Sequence, residues 1–398
     1  MYGLSLGDSG SWRCEMIVDG RLATVVIPRD AIEGAQEPDK AVMQAVVGYV
    51  NDIQRSGVYP RHEMPAAAMQ TYHAVYYLAQ VNNGGHGQFI RNTGIAMLPT
   101  TSGDALAGLK AMGALAQHQI LVEMLAWVKA NLEQAAKQNG FSARADVLKA
   151  LDDRFHAAER EKPIARLAAR WIAGWPGLRI VGREQYQAEI DRLAQLNPHL
   201  PQRRVWQSVQ QLRLQMTDDP RITIAAACGA VKPQPEVKLE VRPGVNMEIE
   251  GQQCMAFGVG TNKGARLCVF EKTGGRLYEL DRSGGRVAAG AQLSTVGADK
   301  VQQFVKVAGQ VRAAEAIDLL LRKAGLDPRA MITAWEVFDG GVTWIVATGQ
   351  TRAAAAINGD GAVLTKPDQT PIAGAARDDI ERYAAVAAAG GESLRPPA

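Results

Sequence analysis

The chain is short of most features that announce an activity. Its 44 basic and 41 acidic side chains leave a net charge of only +3. Residues 1–200 hold twenty of each sign, and residues 201–398 hold 24 basic and 21 acidic. A nucleic-acid binder gathers basic charge on one face or arm, so neither half fits that class. Imitation of duplex DNA along the whole chain needs an acidic excess, which is also missing. The four cysteines, Cys14, Cys228, Cys254 and Cys268, form no C-x-x-C pair and have no histidine at ligand spacing. They are expected to be free thiols in a reducing cytoplasm. No two of the six histidines lie three or four residues apart, so no helix face offers a paired metal site. Neither a metal nor a cofactor is expected. No run of 18 apolar residues predicts a transmembrane helix. Met1 to Gly20 shows no basic region followed by an apolar stretch, so no signal peptide is predicted there. The expected location is cytoplasmic, with no membrane partner.

What is present suits a globular protein. Hydrophobic residues make up 47% and charged residues 21% of 398 residues, enough for two domains with their own cores. Aromatics are 6% against 40 glycines, which predicts close packing of small residues. The start reads as a β-hairpin, Cys14–Val18 and Leu22–Ile27 around Asp19-Gly20. From Asp39 the apolar period is helical: Val42, Val46, Val47, Val50 and Ile53 share one face. Asn82-Asn83-Gly84-Gly85 breaks the next helix, since Gly and Asn tolerate the left-handed conformation. Thr101, Ser102 and Asp104 are read as an N-terminal cap. Short connections over 38–216 predict a helix bundle. Composition changes near Thr217, and Val231–Pro235 is Pro-rich. Beyond it come short β-rich runs with Gly-containing turns, mixed with helical patterns. The fold class read from this is α+β: a mainly helical domain over 1–216 with a short N-terminal hairpin, a linker over 217–235, a smaller α+β domain with antiparallel strands over 236–389, and a disordered tail over 390–398. Blocks 253–282 and 331–365 share a strand–turn rhythm that suggests an internal repeat.

The candidate chemistry fails on inspection. Gly258-Val259-Gly260-Thr261-Asn262-Lys263-Gly264 resembles a phosphate loop, but the order G-x-x-x-x-G-K-[ST] is absent. It is read as a hairpin turn. No G-x-S-x-G elbow occurs. The acidic pairs Asp152-Asp153, Asp218-Asp219 and Asp378-Asp379 point about 100° apart on a helix, so none makes a shared-proton dyad. Two of the three sit at predicted helix starts, where carboxylates are favoured. The segment with Asp30, Glu33, Glu37 and Asp39 is opposed only by Lys40. It is either a solvated loop or a patch that meets a basic partner.

One stretch goes beyond pattern. Asn83-Gly84-Gly85-His86-Gly87-Gln88-Phe89-Ile90-Arg91-Asn92 resembles the N-G-G-aromatic-x-Q-aromatic-aromatic-x-N signature of a bacterial all-helical domain family that includes a DNA-mimic protein. Ala105-Leu106 through Ala111-Met112-Gly113-Ala114 is similar to its helix junction, and Leu151-Asp152-Asp153-Arg154-Phe155 to its L-D-x-x-F element. The order agrees over about residues 40–195, with His86 and Ile90 replacing aromatics. The C-terminal part resembles nothing comparable. Read physically, Gly84 and Gly85 permit a sharp turn. Gln88 and Asn92 are four apart, so their amides face one way and are placed to bind open carbonyls of the preceding helix end. The motif residues Asn83, Gly84, Gly85, Gln88, Phe89 and Asn92 are thus expected to be structural.

The resemblance implies a non-enzymatic protein that binds another protein. It does not carry duplex mimicry intact, because mimicry needs rows of carboxylates at phosphate spacing, about one charge per 1.7 Å. Neutral charge and no catalytic constellation suit an immunity protein, or antitoxin, that occludes a cognate secreted toxin, such as a nuclease effector of a type VI secretion system. The alternatives are a regulator that binds a transcription factor or other DNA-binding protein, an enzyme whose site assembles from distant C-terminal residues, and an accessory component of a larger assembly. No direct nucleic-acid contact is expected. Asp30, Glu33, Glu37 and Asp39, and the stretch 85–101, are the candidate partner contacts.

Overall fold

The computed structural model describes residues 16–18, 20–33, 35–140, 144–217, 220–231, 239–271, 274–282, 287–338 and 340–396. The chain forms two compact units, one of residues 1–200 with 396–398 and one of 201–395.

Among the described residues of the first unit, the second arm of the expected N-terminal hairpin is shorter than Leu22–Ile27. Ile17–Val18 (β1) pairs with Arg21–Leu22 (β2), with Gly20 at φ 73°. Cys14 and Asp19 lie outside the described residues. Val25–Pro28 (β3) leaves this hairpin and runs parallel to Leu178–Val181 (β4). The reason is local. Val25 N donates to Gly177 O at 2.9 Å, and a Cβ on Gly177 would sit 2.1 Å from Ala23 O. A four-residue stretch such as Leu-Arg-Ile-Val at Leu178–Val181 is too short to be told from a helix turn by period, and the stretch 38–216 is not wholly helical.

The helices themselves follow the apolar period. Pro38–Gly57 (α1) buries Val46, Val50 and Ile53 as read, with Val42 and Val47 partly covered. Ala66–Thr93 (α2) kinks at Gly84 and Gly85 and packs against α1, against Leu98–Ala111 (α3) and against Asp146–Glu161 (α6). Leu115–Ala130 (α4) follows α3 through Gly113 at φ 83°, the junction the sequence predicts. Leu132–Ala136 (α5), Ile164–Ala173 (α7) and Arg183–Gln195 (α8) complete the unit. Thr101, Ser102 and Asp104 do not cap α3. The helix begins three residues earlier, and all three side chains are buried inside it. Polar side chains signal an N-cap only when they face the helix end, and these face the interior.

The second unit starts earlier than the change in composition. Leu200–Thr217 (α9) buries Val205, Val209, Leu212 and Met216 in the C-terminal core. Helical period reveals an apolar face but not the core it serves, which is why 216 is the wrong boundary. The expected linker contains Arg221–Gly229 (α10), whose residues 222–229 are all buried. Residues 232–238 of the Pro-rich stretch lie outside the described set. At the other end the expected tail is partly helix: Arg377–Glu392 (α13) buries Gly390, and Arg203 of α9 holds Ser393 Oγ through Nε at 2.9 Å.

Two five-stranded antiparallel meanders follow. The first is Glu240–Ile249 (β5), Gln252–Thr261 (β6), Gly264–Glu271 (β7), Gly274–Asp281 (β8) and Ala288–Gly297 (β9). The second is Met331–Phe338 (β10), Gly341–Thr348 (β11), Thr351–Asn358 (β12), Gly361–Thr365 (β13) and Pro371–Ala376 (β14). Ala298–Gln310 (α11) and Ala313–Lys323 (α12) lie between them. The first three connections are two residues long in both meanders, and the fourth is six and five. From β6 to β8, a shift of 87 residues superposes one on the other: Phe257 falls on Trp344, Val259 on Val346, Cys268 on Ala355, Phe270 on Ile357 and Leu277 on Leu364. Every one of these side chains belongs to the shared core. The fold is therefore α+β, and its C-terminal unit is a helix–meander–helix plan used twice. The two plans meet where Phe304 of α11 stacks on Trp335 at 3.5 Å and meets Trp344 edge-on at 4.3 Å.

Candidate functional site

The glycine motif and the L-D-x-x-F element meet in space. Gly85 has φ 74° and ψ −176°, a region open almost only to glycine. It also lies against α6, where an added Cβ would fall 2.2 Å from Asp152 Oδ2. The kink delivers His86 into the interior, where it is fully buried. His86 N donates to Asp152 Oδ1 at 2.8 Å, and Nδ1 lies 2.6 Å from the same oxygen. Nε2 lies 2.8 Å from Tyr77 Oη. Burial first, then the charges of Asp152 and Glu159, push the Tyr77 phenol well above its ordinary value. Tyr77 therefore keeps its proton, and a ring with Nδ1–H toward Asp152 and Nε2 accepting from Tyr77 gives each of these groups a partner. One tautomer satisfies the whole relay. Rings close around it: Tyr77 to Phe89 at 5.1 Å, Tyr77 to Phe155 at 5.3 Å and His86 to Phe155 at 6.1 Å.

The amides act as a clamp, but on a different target from the one read in the sequence. Gln88 Nε2 and Asn92 Nδ2 donate to the side-chain oxygen of Gln80 at 2.9 and 2.7 Å. The main-chain oxygen of Gly84 is met instead by Arg144 Nη2 at 3.2 Å. The kink turns the second half of α2 away from the carbonyls that close the first, so the amides reach a side chain. Asn83 is exposed.

A second polar cluster sits beside this one. Asp104 of α3 accepts from Arg61 Nε at 2.5 Å and Nη2, and lies 2.8 Å from His73 Nδ1. Burial raises the Asp104 carboxyl, but hydrogen bonds from His73 and Arg61, with their charges, outweigh it and hold it below its ordinary value. This cluster ties the turn at Arg61 to α2 and α3. Asp152, read as one of an adjacent acidic pair, lies in mid-helix as the interior anchor of His86. Asp378 and Asp379 do stand in the first turn of α13, while Asp218 and Asp219 lie outside the described residues. Gly258 to Gly264 is the β6–β7 hairpin, as read.

The acidic segment is not an open row of carboxylates. Asp30 accepts from Arg183 Nη1 at 2.9 Å, Glu33 lies 3.5 Å from Arg29 and Glu37 lies 3.1 Å from Lys40. Asp39 stands in the first turn of α1. Of the stretch 85–101, Phe89 and Ile90 are interior, whereas Arg91, Asn92 and Met97 are exposed.

The outer face of α4 was not foreseen. Its inner face buries Ile120, Leu121, Met124 and Val128. Its outer face carries Leu115, Gln119, Val122 and Ala126 at offsets of 0, 4, 7 and 11, all exposed, with Leu115 at 65% and Val122 at 37%. Leu115, Val122 and Ala126 are apolar on an outward face that an amphipathic helix ordinarily makes polar throughout. That departure was the available signal. Beside the stripe, Glu123 and Arg154 form a double hydrogen bond, with Arg154 Nη2 to Glu123 Oε1 at 3.0 Å, so the flank is neutral.

Three of the cysteines, Cys228, Cys254 and Cys268, are free and buried. Burial pushes the Cys268 thiol up to about 12. Among the described residues no group of three or more His, Cys, Asp or Glu side chains is arranged to hold a metal ion, and no helix is long and apolar enough to cross a membrane.

Residues 62–175 match the family model described as DMP19-like protein, a helical family of unknown function that includes a DNA-mimic protein. The match covers less than a third of the chain and lies inside the stretch 40–195 expected from the motifs. It contains His86, Asp152, Asp104 and the whole of α4. No curated protein and no solved structure matches the chain.

Proposed function

We propose that this chain works by binding another protein, and that the outer face of α4 is where the partner docks. The observation that carries the proposal is the exposed face of Leu115, Val122 and Ala126, with the polar Gln119 between them, inside the matched segment. From Leu115 to Ala126 the face runs eleven steps of 1.5 Å, about 17 Å, enough to centre a specific interface when neighbouring helices add a polar rim. The partner is a cognate secreted toxin, of the kind delivered by a type VI secretion system, and the chain is its immunity protein, acting by occlusion. Support for this choice is the near-neutral surface and the lack of any group placed for catalysis in the two histidine clusters. His86 is sealed from solvent, and His73 Nδ1 is committed to Asp104.

Regulation by duplex mimicry is the less favoured reading. The matched segment holds eleven basic and nine acidic side chains. Of those nine, Asp104 and Asp152 are buried and Glu123 is paired. Too few carboxylates remain to reproduce a phosphate row.

Co-expression with the product of the adjacent gene tests the reading. Growth rescue and a stable complex are expected, and the double variant Leu115→Glu, Val122→Glu should lose both. A toxic neighbour that still kills despite soluble co-expression sinks the immunity role. Capture of a DNA-binding protein and no toxin would transfer the case to regulation, and wild-type complex formation by the double variant would remove α4 from the interface.

A further inference from the structure

We propose that the C-terminal unit holds a binding site for a monoanionic carboxylate carried on an apolar body, in the cavity between α9, α11 and α12. This goes beyond the protein-binding reading and does not rest on it. The cavity has a volume of about 410 Å³, and Leu214, Val305 and Ala308 supply apolar wall. Two arginines line it, Arg213 from α9 and Arg312 from the junction of α11 and α12. Both converge on Glu315, which is only 3% exposed. Arg213 Nη2 donates to Glu315 Oε1, and Arg312 Nη1 lies 3.9 Å from the same atom. Arg312 Nε is held by Glu381 at 2.6 Å, and Arg377 meets the other oxygen of Glu381 at 2.5 Å.

This arrangement does two things. It fixes two guanidinium groups that remain 46% and 41% exposed, so their remaining donors are preorganised for a planar anion. It also leaves a local balance of three arginines against two glutamates, one positive charge in excess. A single carboxylate closes that balance, whereas a dianionic phosphate would overshoot it beside a buried glutamate. The apolar wall then takes the rest of the ligand, which is the usual division of labour in a small-molecule site.

The backbone supplies an independent sign. Arg312 has φ 50° and ψ 52°, the left-handed region, at the N-terminus of α12. A residue with a Cβ is strained there, and glycine is not. The chain places its longest cation at a position where glycine would sit more easily. Strain held at a cavity wall is the pattern of a site whose side chain is needed.

The same geometry gives a clean test. Arg312→Gly removes the guanidinium and relieves the backbone, so binding and folding should part. The full-length protein is titrated by calorimetry with hexanoate and with hexanamide, and with a short acetylated peptide ending in Leu as free acid or as amide. Saturable binding of an acid is expected, with its amide weaker by about tenfold or more. Arg312→Gly and Arg213→Met should each weaken the acid by a similar factor, while the thermal midpoint of Arg312→Gly holds or rises. Tighter binding of the peptide acid than of hexanoate assigns the site to a chain terminus, and the reverse assigns it to a free carboxylate. Absence of saturation by either acid overturns the proposal, as does unchanged affinity in Arg312→Gly.

Discussion

The two units solve the same problem with different materials. In the first, a kinked helix is locked by polar groups: His86 between Tyr77 and Asp152, and Asp104 between Arg61 and His73. In the second, two repeated sheets meet on aromatic faces, Phe304 with Trp335 and Trp344. Polar locks are specific and brittle, because removing one partner leaves the other buried and unmet. Aromatic contacts are large and less demanding in direction. The first unit should therefore fail at single atoms, and the second by loss of volume.

The largest effect is expected at the aromatic centre. Trp344→Ala should destabilise the C-terminal unit by about 3–5 kcal/mol, read from the denaturant midpoint. Trp344→Phe should cost far less, because the buried indole N–H has no hydrogen-bond partner to lose. If the two variants were equal, volume would not be what holds the sheets. Next comes Asp152→Ala, at about 3 kcal/mol, since it strands His86 Nδ1–H and its main-chain N–H in the core. A loss below about 1 kcal/mol would mean that the relay is not a lock.

A pair of glycines isolates the backbone share of the kink. Gly85 and Gly94 have the same φ of 74°, but an added Cβ meets Asp152 at Gly85 and nothing within 4 Å at Gly94. Gly94→Ala should cost about 1–3 kcal/mol and Gly85→Ala clearly more. Equal costs would show that strain alone decides. The smallest effect is a matter of pH. A carboxyl whose folded value lies below its unfolded value of about 3.9 adds stability above that pH and loses it as the pH falls through the folded value. Asp104 is such a group. The wild-type acid branch below about pH 4 should be steeper than that of Asp104→Asn, and matching branches would remove Asp104 from the account.

How much of this was legible varies by residue. Gly84 and Gly85 announced the break because a turn is a local signal, whereas Leu151 to Phe155 stood out only through the family resemblance. That Asp152 meets His86 was not legible, because 66 residues separate them. The amides of Gln88 and Asn92 do share a target, but Gln80 is reached across a kink that no period describes. The boundary at Leu200 was hidden because α9 carries an ordinary amphipathic pattern. Blocks 253–282 and 331–365 hinted at the repeat. The shift of 87 residues emerges only when turn lengths are counted strand by strand, since few side chains are kept beyond Val259 with Val346 and Leu277 with Leu364. The carboxylates of the acidic segment looked unopposed because Arg183, the partner of Asp30, lies 153 residues away.

The doubled plan has a consequence for biosynthesis. Two meanders of the same strand order in one chain invite a strand of one to join the other. Translation at about 5–20 residues per second separates equivalent strands by roughly 4–17 s, while a hairpin closes in about 1–10 μs. The earlier copy has paired with itself long before its rival leaves the ribosome, so the order of synthesis sorts the strands before side-chain shape is asked to.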